Sequence, residues 1–509
     1  MSGRVFFGTL ATGGGVRPGS GAFRVLLVGD FSGRDARGAK EPLAGRRVRF
    51  LDVDNWEQVL ASLRPEVTVP AGKDGPPIAI RPAEIDDFHP DNLFDKLEVF
   101  QALRSLRKRL ADPASFDDAA AEVRSWASEP AAPGAPSPAA EPAGPEAPAE
   151  AQGDMLGRLL GDRPPQAEQA TPAETAKSSI DAILRSVVGP YVVPDTDKEQ
   201  AALLGCVDEA AAAQMRAILH DAGFQALEAA WRGVHFLVTH IETDEDLRLH
   251  LMDATKTELI ADLMAGDDLQ STAWFQTLVT QTVGTQGGKP WSLVAGTFAF
   301  DKALVDAALL GRLAKVAKAA GAPFVAAARD RVAGCESLAA SPDPDTWTLA
   351  PDADAEAAWA ELRKLPEAGW LALGLPRMLL RLPYGPKTDA IDRFEFEEFV
   401  EGCGHECYLW ASPALALVQV LAAGFREHGW QMAAELYRDV EDLPMHVYTA
   451  DGERQIMPCA EVYLSDRAGL ALQEMSLTAL LSVRGRNVLR VRGIASLADP
   501  PAALAGRWC

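Results

Sequence analysis

The sequence predicts a mixed α/β (α+β) protein: two units with mixed sheets and flanking helices, joined by an Ala/Pro-rich linker. Three observations carry this. Apolar, β-branched runs closed by turn residues read as buried strands, as in FRVLLVGDFSG (Phe23–Gly33), WSLVAGTF and APFVAAA. Helical stripes such as ALLGRLAKVAKAAG alternate with the later runs. Between them, Glu129 to Gly153 reads EPAAPGAPSPAAEPAGPEAPAEAQG, too poor in apolar area to offset its chain entropy, with prolines that favour extended conformations. The division is therefore an arm over 1–22, a first unit over 23–126, a disordered linker over 127–178 and a second unit over 179–509.

Taken in order, GTLATGGGVRPGSG is glycine-rich but precedes the first strand and lacks a Gly-Lys-Ser/Thr ending, so it reads as a flexible arm, not a phosphate cradle. Phe23–Gly29 is a buried strand. RRVRFLDV alternates charged residues with Val48, Phe50 and Leu51, which leaves one face wet. In IDDFHPDNLF, Pro90 suits a first helical turn, with Asp87 or His89 as cap and Asp91 complementing the dipole. Leu93, Leu97, Phe100, Leu103, Leu106 and Leu110 then fall on one helical stripe. After the linker, MLGRLLG suits a short amphipathic helix, and 179–188 and 208–239 read as helices. In the second, Phe224, Leu227, Trp231, Val234 and Val238 share a face, and Gly223 marks a break. Residues 410–430 are mostly helical; beyond Met445 short strands joined by turns are expected.

Composition narrows function. The 509-residue chain is 48% hydrophobic and 24% charged, ordinary for a globular protein. Its formal charge of -23 opposes a sequence-independent grip on nucleic acid, which needs positive surface. No run approaches the roughly 18–20 apolar residues of a membrane span, and no signal peptide opens the chain, so a cytoplasmic protein without membrane insertion is expected. Six irregularly spaced cysteines fit reduced thiols. CGHEC (Cys403–Cys407) offers two thiols and an imidazole, but no second Cys or His pair completes a zinc set, so it reads as loop residues entering a helix, with no metal or cofactor. No Gly-x-Ser-x-Gly elbow or Ser/Cys/His constellation marks an enzyme.

The most unusual segment is LPRMLLRLPYGPKTDAIDRFEFEEF (Leu375–Phe399), an apolar run carrying Arg377 and Arg381 and followed by Pro383, Tyr384 and Gly385. Leu379, Leu380 and Leu382 are expected in the core. The two arginines, four apart, would emerge on one face and pair with acids, either Glu395, Glu397 or Glu398 of the same protomer or acids across an interface. Trp231 and Arg232 read as a helix-packing anchor, with an interface hot spot as the alternative. Arg484, Arg486, Arg490 and Arg492 form a concentrated basic strand that either faces an acidic partner surface or is a solvated edge.

PRMLLRLPYGPKTDAIDRFEFEE, followed by YLWASPALALVQVLAAGFREHGW, resembles the large subunit of the type VI secretion contractile sheath. AILHDAGFQALEAAWRGVHFLV, KTELIADL, AGAPFVAAA and MPCAEVYLSDR extend the resemblance. VLLVGDFSG, PLAGRRVRFLDVDNWEQVL and IDDFHPDNLF are similar to the sheath's small subunit, so two proteins normally made separately look fused. The family's large subunit continues past the position matching LLSVRGRNVLRVRGIAS, whereas this chain stops at Cys509, which resembles a C-terminally shortened form. The resemblance implies a non-enzymatic structural protomer assembling helically with itself or related sheath subunits around an inner tube, with a baseplate and a sheath-recycling AAA+ ATPase as further partners. Its alternative is an accessory, capping or baseplate-associated sheath-like protein that does not propagate a filament.

Overall fold

The computed structural model describes residues 5–10, 18–72, 75–128, 180, 182–189, 199–350, 352–433, 437–450 and 452–508. The MLGRLLG helix and all of the expected linker except residues 127 and 128, which end a helix, lie outside the described residues. Two compact units result: Met1–Val69, Ala79–Phe94 and Met215–Cys509 form one, and Pro70–Ile78 with Asp95–Gln214 the other.

The larger unit is organised by a nine-stranded sheet. Its strands are β1 (Phe23–Gly29), β2 (Val48–Leu51), β5 (Leu247–Asp253), β6 (Leu293–Phe300), β7 (Phe324–Ala328), β8 (Leu371–Leu375), β11 (Tyr437–Val440), β14 (Thr478–Ser482) and β15 (Leu489–Arg492), in the order β11-β15-β14-β8-β7-β6-β1-β5-β2. Short ribbons pair β3 (Val67–Pro70) with β4 (Pro77–Ile80), β9 (Met378–Leu379) with β10 (Trp410–Ala411), and β12 (His446–Ala450) with β13 (Glu453–Met457). The run from β14 through β8, β7, β6 and β1 to β5 is parallel, and β2, β15 and β11 close the edges antiparallel.

The first unit expected from the sequence does not close on a core of its own. β1 lies between two post-linker strands, Phe23–Gly29 aligned with Leu247–Asp253 on one side and Val25–Val28 with Leu293–Gly296 on the other. Both backbone edges are used, and Phe23, Val25, Leu26, Leu27 and Val28 are all buried. Each such side chain stabilises by about 1.5–3 kcal/mol relative to exposure. Leu26 and Val28 face a core shared with α7 (Lys256–Leu263), α8 (Leu304–Ala320) and α9 (Ala353–Arg363). Toward the other face, Phe23 stacks on Phe425 of α10 (Ala414–His428) at 4.8 Å. After the strand, Gly33 takes φ +73° with the Glu66 carbonyl 2.4 Å from where a Cβ would sit, so the DFSG turn needs glycine there.

Several local expectations change for physical reasons. The arm is anchored in its described part: Phe7 is buried in the main core, Thr9 N donates to Asp267 O at 2.7 Å, and Lys315 Nζ to Gly8 O at 2.6 Å. In β2 it is Leu51 that is buried, while Phe50 stays 41% exposed, and α1 (Trp56–Leu63) follows. The long leucine stripe divides into α2 (Pro90–Lys96) and α3 (Glu98–Ala111) because Leu97 adopts an extended backbone. The helical pair after the linker breaks at Asp221, not Gly223: α5 (Glu199–Leu219) ends, and the Asp221 carboxylate caps α6 (Ala222–His240) by accepting from Phe224 N at 2.9 Å. The tail contains a helix, α11 (Asp466–Glu474), capped by Ser465, among its strands. Leu379 is buried as expected, whereas Leu380 and Leu382 are half-buried.

The smaller unit packs α3 and α4 (Phe116–Ser128) through Phe100, Leu103, Leu106, Leu110, Val123 and Trp126. Arg109–Glu122 (2.6 Å) and Arg107–Asp208 (2.6 Å) are ion pairs at its surface. Exposed pairs of this kind contribute at most about 1 kcal/mol each.

Leu27→Ala in β1 is expected to cost about 2–5 kcal/mol, the range for a buried leucine truncated where neighbours cannot collapse. Val25→Asp should leave no soluble folded chain. Thermal melts and soluble yield measure both.

Candidate functional site

The segment around LLRLPYG builds a buried charge node. The Arg381 side chain is 7% exposed, and its guanidinium uses all five N–H groups. Nε and Nη2 donate to the two Glu228 oxygens at 2.8 and 3.3 Å, Nη1 and Nη2 to the two Glu398 oxygens at 2.8 and 3.1 Å, and Nη1 also to Leu382 O at 3.1 Å. Both carboxylates are fully buried. Arg232, one helical turn after Glu228 on α6, donates from Nε to Glu228 Oε1 at 2.7 Å and from Nη2 to Tyr384 Oη at 2.8 Å. Tyr384 N donates to Glu398 Oε2 at 2.8 Å, and the Arg381 guanidinium lies 4.4 Å from the Tyr384 ring centre. Two arginines thus face two carboxylates, and charge balances without solvent.

This balance sets the protonation states. Burial alone would push the Glu398 carboxyl up, but Arg381 beside it overrides that and holds it below its ordinary value. Burial pushes the Tyr384 phenol well above its ordinary range, so it stays a neutral acceptor for Arg232. Pro383 is buried behind this contact, and Gly385 N donates to Asp389 O at 2.8 Å, turning the chain away.

Arg377 does not share the acids of Arg381. Its Nη2 meets Glu461 Oε1 at 2.6 Å, its backbone N donates to Glu461 Oε2 at 2.8 Å, and His405 Nε2 lies 2.8 Å from the same carboxylate. Burial opposes the charge on Glu461, yet His405 and Arg377 outweigh it and hold the carboxyl at about 2. Glu395 and Glu397 ion-pair with neither arginine. Within the chain the two arginines have three acidic partners, Glu228, Glu398 and Glu461, and of the three acids expected only Glu398 is one of them. Glu228 and Glu461 were missed because they stand 153 and 84 residues away. One signal existed: Glu228 sits in the apolar stripe between Phe224 and Trp231, where an acid needs a buried partner.

Trp231 is fully buried and its Nε1 donates to Phe31 O at 2.8 Å, a packing anchor that joins α6 to the turn after β1. Nearby, Arg34 pairs with Glu258 at 2.9 Å and with Asp253, and Glu258 completes a capping box with Thr255 at the start of α7. The four tail arginines separate: Arg490 is bidentate to Asp439 at 2.8 and 2.9 Å and Arg492 meets Asp466 at 2.6 Å, while Arg484 and Arg486 are exposed on the turn between β14 and β15.

A cleft of about 1120 Å³ opens beyond the C-terminal ends of β1, β6 and β7, where Asp30, Lys256, Asp330, Arg377, His405 and Glu461 line it. Several of its charges are already paired, Lys256 with Asp306 at 2.7 Å and Glu461 as above. CGHEC, expected as reduced thiols, carries a Cys403–Cys407 disulfide, and the imidazole near the two sulfurs is His220, not His405.

Two family models match the chain. The VipB model, described as EvpB/VC_A0108, tail sheath N-terminal domain, covers residues 202–498, and the type VI secretion system model VipA, VC_A0107 or Hcp2, covers residues 10–125. The type VI secretion system sheath protein TssC1 of Pseudomonas aeruginosa is 32% identical over 361 residues, covering 69% of this chain and 72% of that protein. No helix among the described residues is long and apolar enough to cross a membrane.

Arg381→Ala is expected to lose about 3–5 kcal/mol because it strands two buried carboxylates. Arg381→Met combined with Glu228→Gln and Glu398→Gln should recover part of that in denaturant titrations. A second prediction concerns acid. Glu461 is held below its ordinary 4.5, so the stability it contributes is present above that pH and is lost as pH falls toward about 2. Melting temperature should therefore fall more steeply over that window in the wild type than in Glu461→Gln.

Proposed function

We propose, for a chain that belongs to the type VI secretion tail sheath family, that small- and large-subunit halves fused in one polypeptide form a single cytoplasmic protomer, which assembles helically around an inner tube. One observation carries the reading: β1, from the half matching the VipA model, is a central strand in the sheet of the half matching the VipB model. Two halves that share a sheet are needed in equal number, and fusion makes the ratio automatic.

Self-association follows from geometry. A contact between different faces of identical protomers that does not close generates a helix, so one repeated interface is enough for a tube. Contraction would then be a second packing of the same rigid protomers. Other sheath subunits are the first partners; the tube protein, a baseplate and an AAA+ ATPase that recycles the sheath follow from the assembly. The paired charges in the large cleft support a structural role over turnover.

Of the four tail arginines, Arg484 and Arg486 are the exposed ones. Purified protein is expected to form long helical tubes by electron microscopy, and Arg484→Glu with Arg486→Glu should shorten or abolish them without changing the melting temperature. Discrete rings or monomers from the wild type would instead favour an accessory or capping role.

A further inference from the structure

Beside the Arg381 node, the loop after Glu398 and the corner between α5 and α6 bring a group of donors together. Cys403 and Cys407 are four residues apart, and His220, at the corner between α5 and α6, brings a ring nitrogen to them. The three donor atoms lie within 4.8 Å of one another, and all three residues are half-buried. The buried His220 Nε2 makes no hydrogen bond, although Glu398 Oε1 is 3.4 Å away. Two sulfurs and one imidazole are the donor set that soft and borderline divalent cations prefer, with a water in the fourth position of a tetrahedron.

Charge balance favours the same occupant. Arg232 and Arg381 already neutralise Glu228 and Glu398 next door. A further pair of thiolates there would be unbalanced, whereas a divalent cation with two thiolates is neutral. Protonation and the disulfide are the other ways to leave the sulfurs uncharged.

We propose that Cys403, Cys407 and His220 form a redox-gated zinc site: oxidised, the sulfurs are joined to each other; reduced, they bind zinc together with His220. The exchange balances. A dithiol reductant supplies two electrons and two protons, its own sulfurs become a disulfide, and the Cys403–Cys407 bond opens to two thiols. Zinc then displaces the two thiol protons to solvent. The mechanical consequences differ. The disulfide closes a loop within one short segment and restrains nothing else, while zinc ties that segment to the α5–α6 corner, 183 residues away in sequence from Cys403 and beside the Arg381 node. Metal thus rigidifies the cover of the node, and oxidation releases it.

The test uses the full chain reduced with a phosphine, which does not chelate, then loaded with zinc or cobalt and desalted. One equivalent of metal per chain, with an intense thiolate-to-cobalt charge-transfer absorption, is the expected result, and the chain oxidised before loading should retain none. His220→Gln should weaken zinc binding at least tenfold in competition with a chromophoric chelator, and Cys403→Ser with Cys407→Ser should abolish it, both with far-ultraviolet circular dichroism unchanged. Reduced wild type that takes up no metal overturns the proposal, as does a folded His220→Gln chain that binds as tightly as wild type. Should the histidine variant misfold, retention of cobalt charge transfer by the folded double serine variant would overturn it equally, because other cysteines among Cys206, Cys335, Cys459 and Cys509 would then be the ligands.

Discussion

The structure depends on a strand that cannot be satisfied by its own half of the chain. β1 has both backbone edges paired and both faces covered, and its neighbours β5 and β6 are consecutive in the post-linker sequence. Without β1 those two strands would have to meet or leave a gap with two rows of unpaired backbone groups, each costly when buried. The pre-linker segment is therefore part of the sheet. Separating the halves would break an interior parallel ladder instead of sliding two surfaces apart.

The Arg381 node works by a different logic. An ion pair removed from water gains little over apolar packing of the same volume, since desolvation offsets attraction. Its value lies in specifying one arrangement. Five guanidinium donors fixed in a plane accept only one placement of Glu228 and Glu398, and hence only one placement of α6 against the LLRLPYG segment. Arg34, with Asp253 and Glu258, does the same for the turn after β1. Both nodes resist small displacements and lose much when one partner is removed.

Surface chemistry is distributed unevenly around this rigid frame. The arginines nearest the antiparallel edge pair with Asp439 and Asp466, whereas Arg484, over the Tyr463 ring, and Arg486 are exposed at the tip of a turn. In a chain of charge -23, such a tip gives a local attraction within general repulsion. The CGHEC loop lies at the other kind of site, over the node, where its linkage affects packing and not solvent-facing charge.

The sequence by itself determined several strands and helices and the faces they bury: FRVLLVG is apolar except at Arg24 because both its faces are covered, and the stripe through Trp231 is legible because a helix repeats every 3.6 residues. It also carried the motifs that point to the sheath family. Periodicity tells that a face is buried but not what buries it. That β1 leaves its own half, that Arg381 meets Glu228 and Arg377 meets Glu461, and that His220 sits by Cys403 and Cys407 are matters of long-range placement. They were decided only when the sheet closed, because a charge or a ladder edge selects its partner by distance in space, and distance along the chain holds no record of it.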